Sequence, residues 1–190
     1  MLNTLLMCSC SVLLSSGCQS LTKTSNKVKG LTGFGEKQLP EVNQKSILDV
    51  SKTTLAQIEK ITLSMPVGQW VYIENDLHAI YSLQNKSADG TMLLLRLNCK
   101  NPAQKSGFML RKVEGQEILN AYNEQAGPIQ FLLDNQNFGN PFQLSHQQKM
   151  AAFKTTLQKA KVIKIFNAGK LYTFQNGHAE LLNRPVSCTQ

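Results

Sequence analysis

The sequence lacks the short motifs that indicate well-known chemistries. Its 190 residues contain no glycine-rich phosphate-binding motif and no HExxH or CxxC spacing for a metal ion. The three histidines are scattered along the chain, at His78, His146 and His178. Cys99, His178 and Asp134 are of the residue types that form a nucleophilic triad, but such a triad requires an accessible and activated thiol. We therefore predict no catalytic residue, no metal ion and no cofactor.

A hydrophobic run long enough to cross a membrane is also missing. The apolar stretch at residues 2–14 is shorter than the roughly 20 residues that a membrane-spanning helix needs. A short run of this kind, followed by small residues, is typical of an export signal with its cleavage site. We therefore expect an exported protein.

The end of this run resembles the signal of a bacterial lipoprotein. The stretch Leu13–Cys18 contains small residues and places Gly17 directly before the cysteine. The resemblance implies that residues 1–17 are a signal peptide and that Cys18 carries several acyl chains, which anchor the protein stably. Gln19 after the cysteine implies sorting to the outer membrane of a Gram-negative cell, facing the periplasm. An ordinary cleaved signal before an unmodified cysteine remains the alternative.

Two of the five cysteines remain available for a disulfide. Of the five cysteines, Cys8 and Cys10 would leave with the signal and Cys18 would carry lipid. The remaining Cys99 and Cys188 would lie in an oxidising compartment, where disulfides persist. We expect a disulfide between them, which contributes about 4–5 kcal/mol in the chain-entropy model. Two unpaired buried thiols are the alternative.

The mature chain is predicted to be a tether followed by one domain. Residues 18–45 are rich in small and polar residues without hydrophobic periodicity, which is typical of a flexible linker. Residues 46–190 are numerous enough to bury a core as a single globular domain. At the start of this domain, Ser46 and Asp49 form a capping-box pattern that predicts a helix over residues 47–60.

Alternating hydrophobic residues predict a mainly antiparallel sheet after this helix. The central strand, residues 91–99, directs Leu93, Leu95 and Leu97 towards the core. Further strands are predicted at residues 69–73, 79–83, 108–113, 129–133, 162–166 and 171–175, with a turn at 85–90 and a loop at 136–141. Residues 114–127 fit either a short helix or an irregular strand.

One amphipathic helix precedes the C-terminal hairpin. Ser145 and Gln148 form its capping box, and its apolar stripe consists of Met150, Phe153, Leu157 and Ala160. The predicted fold class is therefore α+β: a mainly antiparallel, β-sandwich-like sheet with an N-terminal helix and this second helix before the hairpin.

One further pattern combines hydrophobic residues with the cysteine pair, and it consists of Gly68–Trp70, Cys99, Phe153, Leu157, Phe174, Ala179 and Cys188. Across residues 68–188 this spacing resembles small periplasmic proteins, including accessory proteins of type VI secretion and the invasion-associated locus B type. The resemblance implies a β-rich domain that bears a disulfide and has no catalytic residues to transfer.

Acidic residues are absent between residues 135 and 179, where six lysines occur. A positive field of this kind attracts anionic lipid, lipopolysaccharide or an acidic protein partner. Lys149, Lys154 and Lys161 are our candidate contacts, and an ordinary solvated lysine face is the alternative. The expected compartment argues against nucleic acid.

These observations predict a lipid-anchored envelope protein that binds or scaffolds another envelope or secretion-system component without catalysis. One alternative is a periplasmic hydrolase, whose pocket would hold at least two of His78, His146, His178 and Asp134. Another is an enzyme inhibitor that inserts a rigid exposed loop, residues 136–141, into a cleft.

Overall fold

The structure, a computed structural model, describes residues 39–143 and 147–188. The predicted signal peptide, Cys18 and most of the predicted tether lie outside the described residues, as do Ser145 and His146. Val42 already packs against a hydrophobic cluster, so the folded part includes residues that the sequence assigned to the tether.

Ten strands in two sheets and two α-helices make up the described part of the chain. The six-stranded sheet has the order β1 (Ile47–Asp49), β2 (Trp70–Asn75), β3 (Ile80–Lys86), β4 (Met92–Arg96), β5 (Gly107–Arg111) and β6 (Glu117–Asn120). The four-stranded sheet has the order β10 (Lys170–Gln175), β9 (Val162–Asn167), β7 (Ile129–Leu133) and β8 (Gln136–Gly139). The helices are α1 (Leu55–Ser64) and α2 (Gln147–Leu157). Among these strands β1 and β2 alone pair in parallel, which confirms the predicted α+β, mainly antiparallel fold.

The inner faces of the two sheets and one side of α2 share the main hydrophobic core. Leu93 and Leu95 of β4 point into it, as the alternation predicts. Phe131 of β7 lies edge-on to Phe108 of β5 at 4.8 Å between ring centroids, and to Phe153 of α2 at 5.5 Å. Aromatic rings prefer this geometry, so the core joins both sheets to the predicted amphipathic helix.

The helix predicted over residues 47–60 is present only from Leu55 onwards, and its first part is wrong. Ile47–Asp49 form β1, which pairs with β2. Ser46 is buried with a positive φ of 55°, and its hydroxyl accepts a hydrogen bond from Gln69 Nε2 at 3.2 Å. Pairing with a distant strand therefore overrides the local capping pattern, because it buries Leu48 completely within the fold.

The helix begins at Leu55 because the capping box belongs to Thr54 and Gln57. Thr54 N donates to Gln57 Oε1 at 2.9 Å, and Gln57 N donates to the Thr54 hydroxyl at 3.4 Å. These bonds satisfy backbone donors that the first helical turn leaves unpaired. Helix α1 then lies on the outer face of the six-stranded sheet, where Ile61 packs in a second cluster with Val71 and Met92.

Two predicted connections are shorter than expected. The segment 136–141, predicted as a loop, contains the edge strand β8, and the following Asn140 is buried with its Nδ2 donating to Ala121 O at 2.9 Å. An exposed rigid loop at this place is therefore wrong. The predicted turn at 85–90 begins inside β3, where Asn85 is fully buried.

The last described residues lie between the first half of β3 and the chain that follows β4. Val186 forms a parallel bridge with Cys99, and Ser187 N donates to Tyr81 O at 2.8 Å. Tyr72 donates its hydroxyl hydrogen to the carbonyl of Pro185. Cys188 is bonded to Cys99, with their Cα atoms 5.4 Å apart. The predicted disulfide is thus present, and it fastens the C-terminal segment to the sheet.

Asn176, directly after β10, connects three parts of the fold. Its Oδ1 accepts a hydrogen bond from Trp70 Nε1 of β2 at 2.6 Å. Its Nδ2 donates to Leu157 O and Ala160 O, at 2.7 and 2.8 Å, at the C-terminal end of α2. One buried side chain, at the end of a strand of the four-stranded sheet, therefore satisfies an indole N–H of the other sheet and two carbonyls at and just beyond the end of α2.

Backbone hydrogen bonds join the two sheets beside this asparagine. Trp70 N donates to Gly177 O at 2.8 Å, and Gly177 N donates to Gly68 O at 3.1 Å. A Cβ at Gly177 would lie 2.9 Å from Gly68 O, closer than real Cβ atoms come to an oxygen. The junction therefore requires a glycine at position 177.

Asp89 holds the turn between β3 and β4. Its carboxylate accepts hydrogen bonds from the Ser87 hydroxyl and from Thr91 N. The Ser87 bond, the largest contribution, lowers the pKa of Asp89 below its usual value. At pH values above the unfolded-state pKa of about 3.9, a carboxyl group whose folded-state pKa is lowered stabilises the fold. This stabilisation is lost as the pH falls through the folded-state pKa.

We expect Asp89→Asn to lower the free energy of unfolding by about 1 kcal/mol at neutral pH, because this exposed turn loses a charge-assisted bond. The difference from wild type should shrink as the pH falls below about 4, where the wild-type carboxyl is protonated too. Urea unfolding across this pH range measures it. Glu114→Gln removes the same charge from another exposed turn, and an equal effect of both variants would contradict the expectation.

Candidate binding groove

The three lysines proposed from the sequence lie in different surroundings. Lys154 is half-buried, and its Nζ donates to Leu97 O at 2.9 Å and to Asn98 Oδ1 at 3.1 Å. Burial lowers the pKa of Lys154. Lys149 and Lys161 are exposed. Lys154 thus ties α2 to the chain after β4, whereas the other two stay candidates for contact with an anionic partner.

The two described histidines belong to separate turns. His78 lies in the turn between β2 and β3. His178 precedes the 3₁₀ helix Ala179–Asn183, and its Nδ1 lies 2.8 Å from Glu180 Oε1. This hydrogen bond lowers the pKa of Glu180. His146 lies outside the described residues.

Cys99 and Asp134, the other two residues of the possible triad, make different interactions. The sulfur of Cys99 is part of the disulfide and is therefore not a free thiolate. The carboxylate of Asp134 accepts hydrogen bonds from the backbone N–H groups of Lys161 and Val162, at 3.0 and 2.9 Å. Asp134 thereby fixes the turn after β7 against the start of β9.

Beyond the cluster that contains Ile61 of α1, the outer face of the six-stranded sheet continues over β4, β5 and β6. The register places Leu94 of β4 opposite Met109 of β5, and Met109 opposite Asn120 of β6. Arg96 of β4 lies opposite Gly107 of β5. Because side chains alternate along a strand, these residues share the outer face. They form a half-buried surface with apolar, basic and amide groups.

A pocket of about 540 Å³ opens on this surface. It is lined by Arg96, Lys105, Gly107, Phe108, Met109, Glu117, Asn120, Tyr122 and Cys188. Gly107 contributes no side chain, and the ring of Tyr122 lies 3.4 Å from where a Cβ would be. The volume lies in the range of about 300–1,000 Å³ that is typical of ligand sites.

Two neighbouring pockets share lining residues with this one. A pocket of about 230 Å³ between β3 and β4 shares Arg96 and reaches Ser187. A pocket of about 410 Å³ shares Lys105 and Tyr122 and reaches Met150 of α2. We call the three pockets, which adjoin through these shared lining residues, the sheet groove. Adjoining pockets can take successive side chains of a chain-like ligand.

The groove is more basic than acidic. Among its described lining residues, Arg96 and Lys105 are basic and Glu117 is acidic. Arg111 lies on the same face two residues beyond Met109; its Nη2 donates to Gln84 Oε1 at 3.0 Å, and burial lowers its pKa. Guanidinium and ammonium groups favour carboxylate or phosphate ligands.

Sequence reasoning missed the groove, although one signal for it was present. The alternation that assigned Leu93 and Leu95 to the core also assigned Leu94 and Arg96 to the opposite face. Met92 and Leu94 lie together on that face beside Arg96, and neighbouring apolar residues of this kind indicate a covered or binding surface. The register that places Met109 opposite Leu94 is a property of the folded sheet and was not visible in the sequence.

Neither a metal centre nor a membrane span is found in the described ranges. No group of three or more His, Cys, Asp or Glu side chains there could hold a metal ion. Neither described helix is long and apolar enough to cross a bilayer.

Comparison with known proteins gives one match. The model of a family described as YfjT matches residues 68–181. The chain belongs to the YfjT family. The matched part runs from just before β2 into the last 3₁₀ helix, and it contains β3 to β6 with Arg96, Lys105 and Met109. The YfjT match therefore includes most of the sheet groove and Cys99, but not Cys188. No curated protein and no solved structure matches the chain.

Proposed function

We propose that the chain is a lipid-anchored protein of the outer membrane that binds another envelope or secretion-system component in the sheet groove, without catalysing a reaction. The sheet groove is the observation that carries this proposal. Its basic rim, with Arg96 and Lys105, and its apolar floor, with Leu94 and Met109, favour an acidic, extended segment of a partner protein.

The location is supported by two independent features. The stretch Leu13–Cys18 has the composition of a lipoprotein signal. The disulfide between Cys99 and Cys188 is of a kind that persists in oxidising compartments such as the periplasm. Acyl chains on Cys18 would hold the protein at the membrane, since two or more chains give stable anchoring.

The anchor is tested by intact mass under non-reducing conditions, after expression in a Gram-negative host. We expect a chain that begins at Cys18, carries the added mass of acyl chains and has lost two hydrogens to the disulfide. Cys18→Ser should abolish the added mass and move the protein from the membrane to the soluble periplasmic fraction. An unmodified Cys18 in the mature wild-type protein would contradict the anchor.

The groove is tested by a photo-crosslinking amino acid at Met109 in the full-length protein within its native envelope. Leu63, an exposed leucine of α1, is the matched control position. We expect a discrete adduct from position 109 and none from position 63. Lys105→Glu should weaken that adduct, because it reverses a charge on the groove wall. The same adducts from both positions, or none from either, would contradict a binding role for the groove.

A further inference from the structure

Arg111 of β5 is a half-buried cation on the outer face of the six-stranded sheet. The register places it opposite Met92 of β4, which is fully buried. Its Nη2 donates to Gln84 Oε1 of β3, so the side chain crosses β4, which lies between β3 and β5. Burial lowers the pKa of Arg111, because the guanidinium loses hydration there. An anion beside a desolvated cation of this kind stabilises it.

No carboxylate of the described residues pairs with this cation. Glu117 of β6 lies opposite Arg111 in the register, but its Oε1 accepts a hydrogen bond from Asn120 Nδ2 at 2.6 Å. The ion pairs of the described ranges involve Arg184 and His178 instead. Arg111 Nε is buried, and no described acceptor lies within hydrogen-bond distance of it. The described part of the fold therefore leaves the charge of Arg111 without a counter-ion.

Gln84 fixes the direction of the guanidinium. Its side chain is 7% exposed, its Oε1 accepts from Arg111, and its Nε2 donates to the Ser82 hydroxyl at 3.1 Å. Both ends of the amide are therefore bonded. A carboxylate at this position would form an ion pair with Arg111, whereas the neutral amide orients the guanidinium and leaves its charge uncompensated. A cation held in place in this way is pre-organised for an external anion.

Arg111 and Arg96 lie on either side of an apolar pair. Leu94 of β4 and Met109 of β5 are opposite each other in the register. Arg96 follows Leu94 by two positions, and Arg111 follows Met109 by two. Because β4 and β5 are antiparallel, the two arginines lie on opposite sides of this pair, each about 7 Å from it along the strands. Every second side chain of an extended segment points to one face at the same interval.

We propose that Arg111 binds a carboxylate of the partner segment and that Gln84 is its positioning residue. The segment presents an acidic, an apolar and an acidic side chain at every second position. The acidic side chains meet Arg111 and Arg96, and the apolar side chain lies on Leu94 and Met109. This inference rests on the proposed function, because it takes the sheet groove as the binding site, and it adds the pattern that the groove selects.

Two labelled peptides test this pattern on full-length protein that carries Cys18→Ser, so that acyl chains are absent. One has the sequence Glu-Ser-Val-Ser-Glu, and the other has glutamine in place of both glutamates. Fluorescence polarisation should show binding of the acidic peptide that weakens as salt is added. The glutamine peptide should bind about tenfold more weakly or less, because it lacks the charge-assisted bonds. No binding of the acidic peptide, or equal binding of both, would overturn the inference.

Two substitutions in the groove each have a matched control. Arg111→Gln should weaken binding of the acidic peptide about tenfold. Lys112→Gln removes the same charge from the next, exposed position and should change binding less than about twofold. Gln84→Glu should weaken binding as much as Arg111→Gln, because the introduced carboxylate pairs with the guanidinium. Gln136→Glu adds the same charge at an exposed position of β8 and should have little effect. Equal effects within each matched pair would contradict the proposal.

Gln84→Glu also separates a binding role of Arg111 from a purely structural one. The variant preserves the size of the side chain, and the Ser82 hydroxyl can donate to the introduced carboxylate. An Arg111 that only supports the fold would keep its partner, so peptide binding would stay unchanged, and that result would overturn the inference. Urea unfolding followed by Trp70 fluorescence checks that the variant is folded. If it is not, Arg111→Gln and Lys112→Gln decide the question.

The crosslink from Met109 distinguishes failure of this inference from failure of the proposed function. An adduct that persists unchanged in Arg111→Gln and Gln84→Glu would retain the groove as a binding site and overturn the role of Arg111. Absence of the adduct in wild-type protein contradicts the groove itself. Lipopolysaccharide that binds more tightly than the acidic peptide, and less tightly to Arg111→Gln, would assign this cation to phosphate groups and would also overturn the inference.

Discussion

Replacing Asn176 with alanine is expected to lower the free energy of unfolding by about 3–5 kcal/mol. The substitution leaves three buried groups without a partner: the indole N–H of Trp70 and the carbonyls of Leu157 and Ala160. Each buried unpaired group costs roughly 1–3 kcal/mol, and local relaxation recovers part of the sum. Chemical denaturation measures the loss through the fluorescence of Trp70, the single tryptophan.

Two comparisons make this expectation specific. Asn137→Ala removes an exposed asparagine whose Nδ2 donates to Gln130 Oε1, and it should cost less than about 1 kcal/mol. Asn176→Asp still accepts from Trp70 but directs a carboxylate at two carbonyl oxygens, so it should be at least as destabilising as alanine at neutral pH. A loss below about 1 kcal/mol for Asn176→Ala would show that the junction tolerates unpaired groups.

Removing the disulfide is the second change with a large expected effect. Cys99 and Cys188 are 89 positions apart, and releasing a loop of this length costs about 4–5 kcal/mol in the chain-entropy model. Native strain or residual structure reduces such values, so we expect a loss of about 2–5 kcal/mol for Cys99→Ser with Cys188→Ser. Denaturation midpoints with and without a reductant provide the measurement.

The control for this experiment is the response to the reductant itself. Wild-type protein should lose stability on reduction, while the double variant, already without the bond, should not respond. Cys18→Ser should retain the full response, because Cys18 is not part of the pair. A double variant as stable as the oxidised wild type would mean that the hydrogen bonds of Pro185, Val186 and Ser187 hold the C-terminal segment without the bond.

The parts of the fold that follow from local sequence were predicted well. The strand at 129–133 has the predicted bounds, and the hairpin of β9 and β10 differs from its prediction by one residue at one end of each strand. Of the predicted apolar stripe of α2, Phe153, Leu157 and Ala160 are buried and Met150 is half-buried, in line with the helical spacing. In these segments the periodicity and the tertiary packing require the same residues to face inward.

The predictions failed where a distant partner decides the conformation. Ser46 and Asp49 match a capping box as well as Thr54 and Gln57 do. The segment after Ser46, however, pairs with the strand β2 and does not form a helix. Parallel pairing joins residues about 25 positions apart, and no local period encodes it. In the same way, β8 forms because β7 offers an edge, although Asn137 and Gly139 favour a loop by composition.

The candidate site lay beyond sequence reasoning for a related reason. Its walls come from β3, β4, β5 and β6, from the chain near Lys105, and from Met150 of α2. These segments meet only through strand register and through the position of α2 on the core. The lysines of residues 135–179 were visible as a charge pattern, but only the structure separates Lys154, whose Nζ donates to Leu97 O and Asn98 Oδ1, from the exposed Lys149 and Lys161.

The position of the C-terminal segment has a consequence for the order of folding. Trp70, Tyr72 and Cys99 find their partners in Asn176, Pro185 and Cys188, which follow them in the chain by 106, 113 and 89 positions. A nascent chain that still lacks those residues holds an unsatisfied indole and an unfinished sheet, and long-range contacts of this kind form slowly. The strands β2 and β3 and the chain after β4 therefore complete their contacts only once residues 176–188 have been synthesised.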